Sequence, residues 1–421
     1  MVNLDRTPRA NRVHIGIFGR RNAGKSSLIN AITGQDTALV SDIPGTTADP
    51  VYKSMELHGA GPVVLVDTPG IDDVGSLGEA RVSRATRVSS KTDLAVIALD
   101  PGAGLGQPEI NLIEDFGKKA LPTIVVLTKK DIWPESDYLD SVRSQVEETY
   151  KGIQNDGRHP STPLVLGVSA VTGEGVPELI QILSETVAAN LLGVEPPIVG
   201  DLLRPGDTVC LVVPVDFQAP KGRLILPQVQ TIRDVIDHDC VSIVMKTNEL
   251  ATVLDSLKRP PALVVTDSQV FEEVNCILPR DVPLTSFSVL FARHKGDLEE
   301  FVKGAKALSE LRPHDRVLIA EACTHHPIED DIGTVKIPAW LEERVKGPLE
   351  FSWQRGTDYP PDLKDFKVII HCGGCMLNRK EMLFRIEEAR SARVPIANYG
   401  MTIAYTKGIL HRALEPLGYY L

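Results

Sequence analysis

The sequence lacks most of what marks a secreted, membrane-bound or nucleic-acid-coating protein. Six cysteines among 421 residues are too few for a disulfide scaffold. No run of about 18 apolar residues exists, so no membrane-spanning helix is expected. The first twenty residues hold four arginines and no long apolar run, so no secretory signal is expected either. An excess of basic charge is missing too: 45 Lys and Arg stand against 56 Asp and Glu, for a net charge of −11. Nucleic-acid binding rests on phosphate neutralisation by clustered Lys and Arg, so this balance gives that class no support. No short repeat or low-complexity tract runs through the chain, which excludes collagen-like and coiled-coil classes. What remains is 43% hydrophobic and 24% charged, ordinary for a globular chain in the cytoplasm. At about 150 residues per domain the length suggests two or three domains.

Short apolar runs alternate with amphipathic runs over residues 12–190. Val13–Phe18, Val63–Val66, Leu94–Leu99, Thr123–Leu127 and Leu164–Val168 read as strands. Ser26–Ile32, Glu109–Lys119 and Ser136–Tyr150 read as helices. That alternation predicts an α/β fold, a parallel sheet with helices on both faces. Three prolines and three glycines between Gly193 and Gly206 mark a linker near residue 195. Two smaller α/β patterns follow. The first has strands at Val209–Val213 and Val241–Met245, with helices at Leu224–Asp237 and Glu249–Leu257. The second starts after Arg259-Pro260-Pro261, with strands at Ala262–Thr266, Val317–Ala320 and Val368–Ile370 and helices near Asp297–Leu311 and Arg379–Ala389. The expected domains are therefore residues 1–192, 196–261 and 262–421.

Gly19-Arg20-Arg21-Asn22-Ala23-Gly24-Lys25-Ser26 fits the phosphate-loop pattern G-x-x-x-x-G-K-S between a predicted strand and a predicted helix. Its glycines let backbone N–H groups curl toward phosphate oxygens, and the helix N-terminus adds partial positive charge. Lys25 would reach the β- and γ-phosphates, the Ser26 hydroxyl would ligate Mg²⁺, and Ser27 completes the loop's contact set. Asp67-Thr68-Pro69-Gly70 follows a strand; Asp67 would meet the Mg²⁺ shell and the Gly70 N–H would sense the γ-phosphate. Thr128-Lys129-Lys130-Asp131 follows another, and a carboxylate at Asp131 accepts both N–H donors on the guanine edge. Ser169-Ala170 would support the base through the backbone. Four motifs in register at strand C-terminal ends, where open α/β sheets bind ligands, point to GTP.

This N-terminal stretch resembles the translation-factor-related GTPases, in the branch of the tRNA-modification GTPase MnmE and the ribosome-assembly GTPase Era. Ser41–Asp49 is similar to that branch's first switch, which implies that Thr47 completes the Mg²⁺ shell. In potassium-activated members an Asn of the phosphate loop binds the cation, and Asn22 holds that place. The resemblance implies a K⁺ cage completed by carbonyls of Ser41 and Ile43 with Thr46. Such a cation could do the electrostatic work of an arginine finger. Two departures stand out. Thr128 replaces the commoner Asn, so one side-chain amide contact is missing. Ile71 follows Gly70 where small signalling GTPases carry a water-orienting Gln. Slow intrinsic hydrolysis is expected, and an unstimulated rate above ~1 per second would contradict it.

Cys210, Cys240 and Cys276 sit alone in apolar, strand-like surroundings and read as buried small hydrophobes. Cys323, Cys372 and Cys375 are different. Cys323-Thr324-His325 ends one strand-like run, and His371-Cys372-Gly373-Gly374-Cys375 ends another and opens a helix. Both emerge where a sheet crevice can join them. The helix N-terminus would favour thiolates. Three thiolates suit a 4Fe-4S cluster with one open position, a Cys₃His zinc site, or a C-x-x-C redox pair. His325 and His371 read as fourth ligands or as outer hydrogen-bond donors.

A potassium-type GTPase followed by C-x-H and H-C-x-x-C resembles the HydF-type maturation GTPases of FeFe-hydrogenases over essentially the whole chain. The resemblance implies a GTPase domain, a dimerisation domain giving a homodimer, and a C-terminal 4Fe-4S domain ligated by Cys323, Cys372 and Cys375. It also implies a scaffold that receives a diiron subcluster precursor as cargo from two radical-SAM maturases and delivers it to apo FeFe-hydrogenase, without membrane or nucleic acid. A ribosome- or tRNA-associated GTPase with a structural zinc domain is the alternative. It predicts a basic C-terminal half, whereas that half has mixed charge and acidic runs such as Glu329-Asp330-Asp331. An iron–sulfur redox enzyme with a regulatory GTPase would need further cofactor motifs, and the sequence holds none.

Overall fold

Val, Ile and Leu fill the strand runs on both faces, as strands covered by helices on both sides require. A computed structural model describes residues 12–34, 51–71, 88–133, 136–151, 153, 162–190, 196–215, 224–322, 331–356 and 358–420. The chain divides into two compact units, Met1–Val194 and Glu195–Leu421.

The first unit is a six-stranded sheet of β1 (Val13–Phe18), β2 (Val51–Leu57), β3 (Gly61–Asp67), β4 (Leu94–Leu99), β5 (Thr123–Leu127) and β6 (Leu164–Gly167) in the order β2-β3-β1-β4-β5-β6. All neighbours run parallel except β2, which pairs antiparallel with β3 at the edge. On one face α1 (Lys25–Thr33) and α4 (Val176–Asn190) bury Leu28, Leu179 and Leu183 against Ile15, Ile17, Leu65 and Val96. On the other, α2 (Gln107–Lys118) and α3 (Ser136–Lys151) bury Ile113, Phe116, Val142 and Val146 against Phe18, Val64, Ile97 and Val125. Successive strand residues thus serve opposite faces. Because β3 and β4 flank β1 on opposite sides, the chain reverses its winding at β1, and the crevice there opens above the strand C-terminal ends.

The second unit carries two four-stranded parallel sheets. β7 (Thr208–Val212), β8 (Val241–Met245), β9 (Leu263–Thr266) and β10 (Leu284–Ser286) pair in the order β10-β9-β7-β8. β11 (Arg316–Glu321), β12 (Glu350–Arg355), β13 (Val368–His371) and β14 (Ile396–Asn398) pair in the order β12-β11-β13-β14. Helices α5 (Leu226–Asp237), α6 (Leu250–Ser256) and α7 (Phe271–Ile277) belong to the first of these. Helices α8 (Phe287–Lys295), α9 (Leu298–Ala307), α10 (Ile337–Val345), α11 (Arg379–Ala392), α12 (Tyr399–Thr406) and α13 (Leu410–Leu414) follow.

The boundary expected near residue 261 falls inside a sheet. β9 begins just after it, and Leu263 pairs with Val209, so Pro260-Pro261 marks only the connection from α6 to the next inner strand. One core runs under both sheets, joining Cys210, Val264, Phe271 and Leu284 to Leu318, Ile369, Met382 and Ile396. Helix α8 is buried almost all round and packs on α5, α11 and α12. Helix α9 lies so close to β14 that a Cβ on Gly304 would stand 1.9 Å from the Ile396 carbonyl oxygen. Of the three isolated cysteines, Cys210 and Cys240 are buried, and burial pushes the Cys210 thiol up to about 11. Cys276 departs from expectation: it is exposed and lies on helix α7, whose buried face is made by Phe271 and Val274. Among the described residues no helix is long and apolar enough to cross a membrane.

Candidate functional sites

The phosphate loop leaves the end of β1 at the reversal point. Gly19 adopts φ 146° and Gly24 φ 80°, and a Cβ on Gly19 would stand 2.3 Å from the Ala98 carbonyl oxygen. Only glycine fits there. Asn22 takes the left-handed conformation (φ 59°) with its side chain exposed at the crest of the loop. The Lys25 ammonium is buried and donates to the Gly19 carbonyl at 3.0 Å and the Arg20 carbonyl at 2.6 Å. It therefore fills the concavity that the loop's N–H groups line. Ala23, Ser26 and Ser27 continue the loop into α1.

At the end of β3, the Ser26 hydroxyl donates to Asp67 Oδ2 at 2.5 Å. Burial raises the Asp67 pKa; the Ser26 hydrogen bond and the charges of Lys25 and Lys53 act against it. Asp67 Oδ1 is buried without a partner among the described residues. A hydroxyl and a half-satisfied buried carboxylate side by side fit a hard divalent cation such as Mg²⁺. The Thr68 hydroxyl donates to the Ile17 carbonyl at 2.7 Å, tying β3 to β1. Pro69 is buried, and a Cβ on Gly70 would stand 2.9 Å from the Arg21 backbone nitrogen.

The guanine motif follows β5. Thr128 is more than a missing amide: its hydroxyl lies 2.9 Å from the Ala23 carbonyl and 3.2 Å from that of Leu99. It ties the base-binding end of the sheet to the phosphate loop. Lys129 sits at φ 57° with its ammonium on Asp100 at 2.5 Å. Trp133 Nε1 donates to the Thr128 carbonyl. The Ser169 hydroxyl donates to Asp131 Oδ1 at 2.6 Å, so Ser169 aims the carboxylate through its side chain, beyond the backbone role expected of it. Ala170 follows, half-buried. Thr46 and Thr47, with Ser41 and Ile43, lie outside the described residues.

Sequence reading missed one support. Arg20 of the phosphate loop donates to the buried Glu109 of α2 at 2.8 Å, and the same carboxylate oxygen accepts from Gly106 N–H. The partners are 89 positions apart, so no local pattern could reveal them. Glu109→Ala would strand the Arg20 guanidinium and uncap α2. It is expected to destabilise the first unit by about 3 kcal/mol, seen as a lower urea midpoint, with weaker GTP binding.

The cysteine motif sits at a second reversal point. β12 and β13 flank β11 on opposite sides, and β11 and β13 run parallel with Ala320 opposite His371. Cys372 N–H donates to the Ala320 carbonyl at 2.8 Å, and Ala322 N–H donates to Cys372 Sγ at 3.3 Å. The ends of the two cysteine-bearing strands are thus adjacent, while Cys323 and His325 lie outside the described residues. Among the described residues no group of three His, Cys, Asp or Glu side chains stands ready to hold a metal ion.

Gly374 turns the C-x-x-C segment at φ 59°; a Cβ there would stand 2.3 Å from Met382 Cε. The buried Lys295, at the end of α8, donates to the carbonyls of Cys375 at 3.1 Å and Leu377 at 2.9 Å. Cys372 and Cys375 are not bonded to each other as a disulfide, and each is partly exposed. Helix α11 begins only at Arg379, and its Asn378 cap already accepts from Glu381 N–H at 2.9 Å. That cap meets one of the N–H groups at the helix N-terminus, and Lys295 brings a cation onto the Cys375 carbonyl. His371 is wholly buried. Its Nδ1 donates to the Cys372 carbonyl at 2.6 Å, which leaves Nε2 unprotonated and without a partner among the described residues. Burial, with the Arg385 charge, lowers its pKa to about 3. A neutral imidazole with an unused lone pair, on the residue that precedes Cys372, has the donor chemistry of a soft or borderline metal centre.

Comparison with known proteins follows the same division. Residues 198–296 match the family model of the hydrogen maturase F dimerization domain, and residues 299–416 that of its tetramerization domain. Together these span more than half of the chain. Residues 14–129 match the model described as 50S ribosome-binding GTPase. The tRNA modification GTPase MnmE of Synechococcus sp. (strain JA-3-3Ab) is 36% identical over 179 residues, covering 42% of this chain and 34% of the relative. GTPase Der of Desulforudis audaxviator is 37% identical over 180 residues, covering 41% of this chain and 39% of the relative. The chain thus spans between a third and two fifths of the length of these curated relatives. A crystal structure of Aquifex aeolicus Era overlaps 55% of this chain and 93% of its own at TM-score 0.35 and 18% identity.

Proposed function

The chain belongs to the hydrogen maturase F family, and on that premise we propose that it is a GTP-hydrolysing scaffold for hydrogenase maturation. It holds a 4Fe-4S cluster on Cys323, Cys372 and Cys375 and carries the diiron subcluster precursor to apo FeFe-hydrogenase. The observation that carries this reading is the pairing of β11 and β13 at a reversal point of the last sheet, with the Ala322 N–H on Cys372 Sγ just past the strand ends. A cluster with three thiolates keeps one iron open, and delivery needs a site that binds cargo and then releases it. His371 Nε2 and His325 are the candidate donors beside it.

In the first unit Ser26 and Asp67, with Thr47, would hold Mg²⁺, which neutralises charge developing on the β- and γ-phosphates. Lys25 moves from the loop carbonyls to the phosphates, and Asp131, aimed by Ser169, accepts from guanine. Asn22 at the exposed crest of the loop would contribute to a K⁺ site with Thr46 and the carbonyls of Ser41 and Ile43. The maturase domains support self-association. β8 is the edge on which a homodimer would form: it ends its sheet with Val241 and Val244 exposed, and α5 beside it exposes Val229 and Ile236. An open edge flanked by apolar side chains is a template for strand pairing. The two radical-SAM maturases would supply the cargo.

Anaerobic reconstitution with iron and sulfide tests the reading. The expected protein is brown, gives a cluster EPR signal on reduction, activates apo-hydrogenase once loaded, and turns over GTP faster in K⁺ than in Na⁺. A colourless protein holding one zinc per chain would replace the cluster with a structural metal. Equal turnover in the two salts would remove the potassium site alone.

A further inference from the structure

Arg385 projects from α11 into the second unit and is fully buried. Its Nη1 donates to the Gly356 carbonyl at 3.1 Å, and its guanidinium lies 4.5 Å from the centre of the Tyr359 ring. Nε and Nη2 meet no acceptor other than the Tyr359 hydroxyl, and that hydroxyl has no further partner among the described residues. A guanidinium taken from water with N–H donors left unmet is costly, and that cost persists only where something offsets it.

The surroundings say what that is. Gly356, whose carbonyl accepts from Arg385, donates its own N–H to the Glu321 carbonyl at 2.8 Å, next to the Ala322 N–H that bonds Cys372 Sγ. Burial raises the Tyr359 pKa, the Arg385 charge and hydrogen bond act against it, and the Cys372 charge adds to it. Met382, one turn before Arg385 on α11, packs on the Gly374 turn between the two cysteines. A buried guanidinium and a phenol hydroxyl thus lie beside the strand ends that Cys372 follows.

We propose that Arg385 and the Tyr359 hydroxyl form the electropositive wall of the cysteine site and donate hydrogen bonds to the anionic iron–sulfur centre held there, raising its reduction potential. The inference rests on the cluster reading above. A cube with three thiolate ligands gains one negative charge on one-electron reduction, so a fixed cation and hydrogen bonds to its sulfurs stabilise the reduced form more than the oxidised one. They also draw electron density from the sulfurs, which favours a weakly held ligand at the open iron.

The test uses the full chain, reconstituted anaerobically with iron and sulfide, as wild type, Arg385→Met, Arg385→Lys and Tyr359→Phe. Iron and sulfide are counted per chain, and the midpoint potential is read from an EPR-monitored titration. Arg385→Met is expected to move the potential to more negative values. Tyr359→Phe moves it the same way by less, and Arg385→Lys keeps it nearer the wild type. Tyr359→Phe removes one oxygen atom, so it decides the matter even if Arg385→Met fails to fold. Wild-type potentials in Tyr359→Phe and in every Arg385 variant that folds with full iron would overturn the proposal and reduce Arg385 to a packing role. A wild-type protein that takes up no iron would instead sink the cluster reading itself.

Discussion

Replacing Cys372 by serine is expected to empty the cluster site while leaving GTP turnover intact. The Cys372 sulfur accepts from Ala322 N–H at 3.3 Å across the two strand ends, which the Cys372 N–H also ties through the Ala320 carbonyl. A serine oxygen is harder than a thiolate and remains protonated at neutral pH, so it is a poor ligand for iron in a cluster. With three thiolates in the set, losing one leaves a two-point grip. The reconstituted variant should lose the brown colour and the EPR signal of the reduced cluster, with iron per chain falling to background. Activation of apo-hydrogenase should vanish with it. GTP turnover depends on residues of the first unit and should match the wild type. A Cys372→Ser protein with full iron and an unaltered signal would refute the ligand assignment.

The sequence was most legible where one physical cause dominated. β1, β4 and β5 are buried on both faces, so their apolar runs end where the strands end. Two edge strands, Val51–Leu57 and Glu350–Arg355, are mostly exposed or half-buried with charged residues and escaped, and β10 is only three residues long. Helix α8 was invisible for the opposite reason. It is buried on nearly every side, and such a helix has no polar stripe.

Among site residues, the phosphate loop, Asp67 and the guanine motif were readable because backbone chemistry fixes their spacing. Arg20–Glu109, Lys295 and Arg385 were not. Each is a charged residue buried by tertiary contacts, and in α11 charges occur on all faces, so nothing local distinguishes the buried Arg385 from its solvated neighbours. The Pro260-Pro261 pair misled because the same residues mark a loop within a domain and a link between domains. Only the pairing of Leu263 with Val209 separates the two.

Lys25→Ala is expected to separate the activities in the other direction. The Lys25 ammonium is held by two carbonyls of its own loop, an arrangement that keeps a full charge in the concavity with little reorganisation before nucleotide arrives. Alanine removes the charge that would meet the β- and γ-phosphates. Loss of one preorganised electrostatic contact of this kind costs roughly 10²–10³ in turnover, read as phosphate release at saturating GTP. The same ammonium ties down the Gly19 and Arg20 carbonyls, so a thermal melt must accompany the assay to separate a lost charge from a loosened loop. Iron content and the EPR signal should stay at wild-type values, because the cysteine motif belongs to the second unit. Delivery then becomes informative: if hydrolysis drives transfer, a loaded Lys25→Ala protein activates apo-hydrogenase no better than loaded protein without GTP. Activation at the wild-type rate would instead assign GTP hydrolysis a role outside the transfer step.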